Sequence, residues 1–292
     1  MHIPVLLKEV LETLNPKPGE FFIDGTIDGG GHAIAVLERI MPGGKFLGLD
    51  WDEAMLKIAK SKITPNPKIF LINANYANMH DILERNNLGK ADGLLLDLGF
   101  STEQLENSGR GFSYQKNEPL LLNYSADADI TAEKVINSFS EKRVADIIRQ
   151  YGEERFAGRI AREIVRTRSR KPIKTTVDLV DAVKKSTHKN YERGRLHPAA
   201  RTFQALRIYV NRELENLEKV LGFLPSVMKK GGRAAVIAFH SLEDRIVKVH
   251  LKDLAQKKMA DVITKKPIRP SLEEIIGNPR SRSAKLRVVR FV

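Results

Sequence analysis

The chain has 292 residues, of which 42% are hydrophobic and 29% charged, and it contains no cysteine. This composition is typical of a folded globular protein and excludes a disulfide framework and a thiolate metal site. No apolar run approaches the ~20 residues that span a membrane, and the N-terminus lacks a signal-peptide pattern. We therefore expect a cytoplasmic protein without a membrane partner.

The net charge of +13 is unevenly distributed along the chain. Residues 1–100 carry 10 basic and 13 acidic side chains, whereas residues 101–292 carry 39 and 23. The densest basic stretch is 142–201, with 17 basic and 7 acidic residues, and a second one covers 265–290. A solvated lysine-rich surface would spread its charge more evenly. One-sided positive charge favours contact with nucleic-acid phosphates.

The first hundred residues alternate between short apolar runs and helical patterns. The apolar runs are residues 21–23, 46–49, 69–72 and 94–96. Ala54, Met55, Ile58 and Ala59 illustrate the helical spacing between them. Such alternation predicts a parallel sheet with helices on both faces.

After Asp97 the pattern changes to helices. We predict that Ser140 caps one helix, and that Thr175 and Asp178 form a capping box at the start of another. No buried strand is predicted between residues 108 and 200, which contain most of the basic maximum. This segment is therefore predicted to be an inserted all-helical, basic domain that recognises RNA.

The α/β pattern resumes after the insertion. A long helix is predicted from Pro198 to Leu221, followed by strands at 234–239 and 288–292 with a helix from about Leu242 between them. We therefore predict a discontinuous α/β domain of residues 1–107 and 201–292, with residues 108–200 as the insertion.

The turn after the first strand carries three consecutive glycines, Gly29 to Gly31, immediately before a helical pattern. Glycines allow the backbone to approach a ligand, and free amides at a helix start can donate hydrogen bonds. We predict that this turn binds a nucleotide-like cofactor; the simpler alternative is a flexible turn that binds no ligand. The dinucleotide fingerprint fails because its sixth position, Ile34, is not glycine.

Three acidic residues end three of the predicted strands: Asp24, Asp50 and Asp97. Open α/β sheets bind ligands at the carboxyl edge of their strands. A carboxylate about 20 residues past a glycine loop can accept both hydroxyls of an adenosine ribose, which is the role predicted for Asp50. A helix-capping role is the alternative for Asp50 and, more plausibly, for Asp52.

The sequence resembles the bacterial small-subunit ribosomal RNA methyltransferase H family nearly from end to end. The shared blocks are HIPVLL (2–7), GGH (30–32), LDLGFS (96–101) with Gln104, RGFS (110–113), YGEE (151–154), FQALRI (203–208), FHSLEDR (239–245) and NPRSRS (278–283). The resemblance implies a Rossmann-like class I sheet that uses S-adenosylmethionine. It also implies methylation of N4 of a decoding-centre cytosine in 16S rRNA, as naked RNA or in the small ribosomal subunit.

Carried over by position, the resemblance implies that the cofactor is contacted by Gly30, Gly31, His32, Asp50, Tyr76, Asp97 and Gln104. Tyr76 stands where the family usually has Phe, and either ring could flank adenine. Asp28 stands where the family usually has Gly. Residues 117–124 replace a family pattern that contains an acid and an arginine, so a substrate role for that loop is not carried over.

The absence of cysteine makes nitrogen or oxygen the expected methyl acceptor, because methylation of pyrimidine carbon 5 and iron–sulfur radical chemistry both require thiolates. Asp97 is the candidate acceptor for the amine proton, and a role in cofactor binding alone is the alternative. No cluster predicts a metal site. The candidate RNA contacts are Arg166, Arg168, Arg170, Arg201, His240 and Arg245.

Several alternatives remain open at this level. Ser241 and Glu243 could cap a helix instead of helping His240 to orient RNA, and Arg207 could pair with an acid. The protein could be a monomer or a homodimer. A non-catalytic rRNA-binding protein with a methyltransferase-like fold is the competing function, favoured only by Asp28 in the glycine loop.

Overall fold

The predicted apolar runs form strands of a single sheet in a computed structural model, which describes residues 3–125, 128–187, 191 and 196–292. Within these residues the sheet contains seven strands. They are β1 (Phe21–Asp24), β2 (Lys45–Asp50), β3 (Ile69–Asn73), β4 (Ala91–Asp97), β5 (Met228–Ala238), β6 (Ala260–Val262) and β7 (Lys285–Phe291).

The strand order is β3-β2-β1-β4-β5-β7-β6. The first five strands are parallel, whereas β7 runs antiparallel to both β5 and β6. The carboxyl ends of β1, β2 and β4 consequently lie at one edge of the sheet, and they place Asp24, Asp50 and Asp97 there. The predicted parallel α/β sheet is confirmed.

The chain divides into two units: an α/β unit of Met1–Ser101 and Leu214–Val292, and a helical unit of Thr102–Glu213. The helices of the α/β unit are α1 (Leu7–Leu14), α2 (Gly31–Ile40), α3 (Glu53–Lys62), α4 (Met79–Arg85), α11 (Glu213–Val227, whose first residue belongs to the helical unit), α12 (Ser241–Gln256) and α13 (Leu272–Gly277). Apolar side chains of α1, α2 and α3 cover one sheet face, and those of α4, α11 and α12 cover the other.

The helical unit is built from α5 (Thr102–Asn107), α6 (Ala132–Ser138), α7 (Glu141–Gly152), α8 (Ala157–Arg168), α9 (Thr176–Ser186) and α10 (Ala200–Asn211). Two predicted caps are present: Ser140 accepts the backbone N–H of Arg143, and Thr175 forms a reciprocal capping box with Asp178. The predicted insertion, residues 108–200, lies inside this unit, which extends further at both ends.

The predicted long helix from Pro198 to Leu221 is wrong, because the chain forms two helices there. Arg212 adopts a left-handed conformation with φ of 50° and ends α10, and α11 begins at the next residue. A continuous three-or-four spacing of apolar residues does not reveal such a break, since each helix preserves the spacing on its own. No helix in the described part of the chain is long and apolar enough to cross a membrane.

Candidate active site

The glycine loop that follows β1 is held tightly against the ends of neighbouring strands. The backbone N–H groups of Gly25 and Ile27 donate to the carbonyls of Leu95 and Leu49. A Cβ at Gly25 would lie 2.5 Å from Leu96 Cδ2, so a larger residue there would have to displace the buried Leu96 side chain. The loop is therefore an ordered element of the α/β unit, as a ligand-binding backbone must be.

Asp28 occupies this loop in a left-handed conformation, with φ of 48°. Glycine adopts this conformation without strain, and aspartate is one of the few other residues that tolerate it. The N–H of Asp28 donates a 2.8 Å hydrogen bond to Asp50 Oδ2. The departure from the family glycine thus preserves a formed loop.

Asp50 accepts two backbone N–H groups, because Asp52 N–H donates to its second oxygen, Oδ1, at 2.8 Å. Burial raises the pKa of Asp50 to about 8, and the nearby carboxylate of Asp28 adds to this effect. Asp52, not Asp50, caps α3 by accepting the N–H of Ala54. Asp50 is therefore held at the strand end with lone pairs still available for a ligand.

Asp97 is fixed through its backbone and its side chain. Its N–H donates to Thr26 Oγ1 at 2.7 Å, and its Oδ1 accepts the N–H of Gly99 at 3.1 Å. Burial raises the pKa of Asp97 to about 8, with Asp28, Asp24 and Glu243 as repelling neighbours. The side chain is 15% exposed, so its carboxylate is buried yet accessible from the sheet edge.

Asp24 completes the group of strand-end acids. It is 3% exposed and accepts the N–H of Thr26, and burial raises the pKa of its carboxyl to about 7. Within the described residues, no lysine or arginine forms an ion pair with Asp24, Asp50 or Asp97. An acidic, water-poor edge of this kind suits a ligand that carries both hydroxyl donors and positive charge.

His32 is buried at the start of α2, and both of its ring nitrogens face protein groups. Nε2 lies 3.0 Å from the carbonyl oxygen of Val5, and Nδ1 lies 3.7 Å from Asp97 Oδ2. The preceding residue, Gly31, packs against Pro4, because a Cβ at Gly31 would lie 2.5 Å from Pro4 Cγ. An N-terminal strap, residues 3–6, therefore covers the start of α2.

The C-terminal part of the chain holds this strap in place. The N–H of Leu6, a residue with no exposed surface, donates to Glu274 Oε1 at 2.8 Å, and Asn278 Nδ2 donates to the carbonyl of Ile3 at 3.2 Å. The sequence analysis identified residues 2–7 as a block shared with the family, but it did not predict that the strap lies beside the candidate site. The order of residues along the chain gives no local signal for a contact that joins positions 6 and 274.

The remaining predicted cofactor residues fall in different units. Gly30 has φ of 84° and precedes α2. Tyr76 begins a short 3₁₀ turn after β3. It lies beside the glycine loop, because its Cβ would be 3.3 Å from a Cβ added to Gly25. Gln104 is buried in α5, which belongs to the helical unit. The structure thus brings Gly30, Gly31, His32, Asp50, Tyr76 and Asp97 to one edge of the α/β unit.

The residues predicted to contact RNA have different surroundings. Arg166 is exposed and forms a 2.8 Å ion pair with Glu163, and Arg170 is exposed. Arg168 instead donates to the carbonyls of Ile136 and Phe139 and thereby ties α8 to the end of α6. Arg168 thus has a packing role that Arg166 and Arg170 do not share, and contact of these arginines with RNA stays a prediction.

The candidate RNA residues outside α8 are also partly engaged. Arg201 is half-buried and donates to the carbonyl of Gly152 at 3.4 Å, whereas Arg245 is exposed on α12. His240 caps α12: its Nδ1 accepts the N–H of Glu243, whose carboxylate accepts the N–H of His240 in return. The predicted capping role is therefore confirmed for Glu243, which shares the capping box with His240, whereas Ser241 is the first residue of α12 and not the cap.

Arg207 pairs with an acid, which was the alternative to a contact with RNA. It is 8% exposed, and its guanidinium forms two hydrogen bonds of 2.7 and 2.8 Å with the carboxylate of Glu213. The pair lies where α10 ends, within the helical unit. An arginine six residues before an acid gives no helical-spacing signal, because the pair forms only once the chain turns at Arg212.

The fold and the site define a class I S-adenosylmethionine-dependent methyltransferase. The defining features are five parallel strands beside an antiparallel β7, the glycine loop and the strand-end carboxylates. A solved structure from Clostridium thermocellum, provisionally described as an rRNA methylase, shares this fold. Its TM-score is 0.50 at 12% identity, and all of both chains is covered.

The chain belongs to the MraW methylase family, whose model matches residues 1–292. It is 47% identical over 296 residues to ribosomal RNA small subunit methyltransferase H of Thermotoga neapolitana, covering 100% of this chain and 96% of that protein. The protein of the same name from Symbiobacterium thermophilum is 43% identical over 304 residues, covering 99% and 96%. The predicted family is confirmed, and S-adenosylmethionine is its methyl donor.

Proposed function

We propose that this protein transfers a methyl group from S-adenosylmethionine to the exocyclic N4 of a decoding-centre cytosine in 16S ribosomal RNA. The observation that carries the proposal is Asp97, a partly accessible carboxylate fixed at the end of β4 by Thr26 and Gly99. The names of the relatives support the RNA substrate. The nitrogen acceptor is supported by the absence of cysteine.

The α/β unit fits the cofactor by the chemistry of its acceptors. Asp50 would accept the ribose hydroxyls, Gly30, Gly31 and His32 would approach it through the backbone, and Tyr76 would flank the adenine. Gln104 remains a proposed contact from the helical unit. When bound, S-adenosylmethionine supplies an electrophilic methyl group on a positively charged sulfur.

Asp97 performs the step that the acceptor amine needs. A cytosine amine is a weak nucleophile because its lone pair is conjugated with the ring, and a carboxylate that accepts its N–H favours the pyramidal form. The nitrogen must lose one proton when it gains a methyl group, and an oxygen of Asp97 accepts that proton. Because the Asp97 side chain is only 15% exposed, the hydrogen bond forms in surroundings of low dielectric constant, where it is stronger than in water.

Recognition of RNA is assigned to exposed basic residues. Arg166 and Arg170 of the helical unit would contact phosphates, and Arg201, His240 and Arg245 would contact the target region. The non-catalytic alternative rested on Asp28, and the tolerated left-handed conformation of that residue leaves the loop formed. We therefore do not propose it.

Methyl transfer to small subunits from a strain that lacks the gene, followed by nucleoside mass spectrometry, tests the proposal. We expect N4-methylcytidine with the wild-type protein. With Asp97→Asn we expect a rate lower by about 10²–10⁴-fold, the usual contribution of a general base. Methylation at another atom would contradict N4 as the methyl acceptor. An unchanged rate with Asp97→Asn would contradict Asp97 as the proton acceptor.

A further inference from the structure

We propose that Arg269 and Arg282 form an RNA-binding site on the α/β unit, which holds backbone phosphates of the strand that flanks the target nucleotide. The inference deepens the proposed function and rests on it for the identity of the RNA. It adds two residues that the candidate RNA contacts do not include. It starts from the register of the sheet beside Asp97.

A single row of paired residues leads across the sheet from Asp97 towards Arg269. Asp97 of β4 is paired with Ile237 of β5, which is paired in turn with Leu286 of β7. Two backbone hydrogen bonds, of 2.9 and 3.0 Å, join Leu286 to Ile268, the residue before Arg269. Neighbouring strands lie about 4.8 Å apart, so this row is roughly 14 Å long. Arg269 therefore lies at the edge of the sheet that carries the strand-end acids.

Arg282 reaches the same edge through β7. Because β7 runs antiparallel to β5, its first residue, Lys285, is paired with the last residue of β5, Ala238. Arg282 lies three residues before Lys285, in the 3₁₀ turn Pro279–Ser283 that leads into β7. His240, which is already proposed to contact the target region, follows β5, and β5 lies between β4 and β7. The two arginines thus extend this candidate RNA contact along the edge.

Arg269 and Arg282 differ from the cations of β7 in having no acidic partner. Lys285 and Arg287 both bind the carboxylate of Asp244, at 3.0 and 2.7 Å. Arg269 and Arg282 are exposed, and neither side chain forms a hydrogen bond or an ion pair with any residue that the structure describes. An exposed cation that no acid neutralises is suited to bind a phosphate.

The position of the cofactor residues indicates that this side of the edge receives the substrate. The glycine loop follows β1 and Asp50 ends β2, so these proposed cofactor contacts lie on the side of Asp97 away from β5 and β7. A nucleotide that reaches Asp97 continues into flanking nucleotides, and the β5–β7 side is the one that these contacts leave to them.

An acidic protein would also suit two free arginines, but the row that they share with Asp97 favours the target strand itself. Contacts to phosphates fix the position of an RNA strand without reading its bases. Arg269 and Arg282 therefore determine how firmly the target strand is held and not which sequence is chosen.

The first test measures binding to small subunits from a strain that lacks the gene, without any methyl transfer. Replacing Arg269 and Arg282 together by Gln should weaken binding. The slope of log affinity against log salt should become shallower by roughly 1.4, since each contact to a phosphate of a single strand contributes about 0.7. Cofactor affinity should stay nearly constant. This result does not depend on which atom of the RNA is methylated.

A matched control removes the same charge at the opposite edge of the sheet. Lys17 and Lys230 are exposed and lie near the amino ends of β1 and β5. Replacing both by Gln should leave the salt slope nearly unchanged. Equal effects of the two double variants would mean that only the overall charge matters, and an unaltered slope with the arginine variant would exclude the phosphate contacts; either result would overturn the proposal.

The second test identifies what the two arginines contact. Because the chain has no cysteine, a photoreactive group can be attached at a single position in Arg269→Cys or Arg282→Cys, with Lys230→Cys as the control. Irradiation with the same small subunits should cross-link positions 269 and 282 to 16S rRNA close to the nucleotide that the protein methylates, as mapped by primer extension. Cross-links to ribosomal proteins alone, or to rRNA far from that nucleotide, would overturn the proposal.

Discussion

The backbone N–H of Asp28 donates a 2.8 Å hydrogen bond to the carboxylate of Asp50, across 22 positions of sequence. The glycine loop and the end of β2 are thereby joined before any ligand binds. The bond uses the backbone of Asp28 and not its side chain, so it does not explain why this chain has aspartate where its family usually has glycine.

We therefore predict that Asp28→Gly binds S-adenosylmethionine as well as or better than the wild-type protein. Glycine adopts the φ of 48° freely, the N–H to Asp50 is retained, and one repelling carboxylate is removed. Isothermal titration calorimetry measures the affinity, and Asp28→Asn serves as the neutral control. A large loss of affinity with either variant would show that the Asp28 carboxylate contacts the cofactor.

Above about pH 8, where its carboxyl is ionised, Asp50→Ala should weaken cofactor binding by roughly 1.5–3 kcal/mol, the scale of hydrogen bonds to a charged group. RNA affinity measured without cofactor should hardly change. Glu53→Gln is a matched control, since Glu53 is an exposed acid on the neighbouring helix whose partner is Lys57. Cofactor binding that is unaltered by Asp50→Ala would remove Asp50 from the ribose site.

The stability of the cofactor-free protein should fall as the pH rises from about 4 to about 8. Burial raises the pKa of Asp24 to about 7 and that of Asp50 to about 8. The carboxyl of aspartate in an unfolded chain has a pKa of about 4. The folded state therefore binds more protons than the unfolded state within this window, and the free energy of unfolding decreases with pH until the folded carboxyls have ionised.

Urea unfolding at constant ionic strength measures this slope. Asp50→Asn should make it shallower, because the substituted side chain no longer titrates, whereas Glu53→Gln should leave it nearly unchanged. A free energy of unfolding that rises between pH 5 and pH 8 would mean that these carboxyls are ionised in the folded protein throughout.

The arginines of the helical unit should separate into two classes. Replacing Arg166 and Arg170 together by Gln should weaken RNA binding and make the dependence of log affinity on log salt shallower, because phosphate contacts release counterions. Cofactor affinity should stay nearly constant. An unaltered salt slope would mean that these side chains are only solvated or paired, as Arg166 is with Glu163.

Arg168→Gln serves as the comparison within the same stretch. Its guanidinium donates to the carbonyls of Ile136 and Phe139, so its removal deprives two part-buried acceptors of their donor. We expect a lower midpoint of thermal unfolding. If Arg168→Gln instead changed the salt slope at unchanged stability, Arg168 would belong with the phosphate contacts.

The sequence by itself determined the features that depend on short-range order. The β1 and β4 runs, the Ser140 cap and the Thr175–Asp178 capping box all follow from residues within a few positions of each other. The three strand-end acids were predicted for the same reason: parallel strands expose their carboxyl ends at one edge, whatever the details of packing. β6 has only three residues, too few for a periodic pattern.

Only the tertiary structure decided which partners the functional side chains meet. The contact of His32 with Val5 and Asp97, the bond of Leu6 to Glu274 and the packing of Arg168 all join residues distant in sequence. The same composition would permit other pairings, because hydrogen bonds and ion pairs depend on where a side chain is placed and not on its type alone. The turn at Arg212 shows the same limit for the backbone, since the apolar spacing on its two sides fits one helix or two.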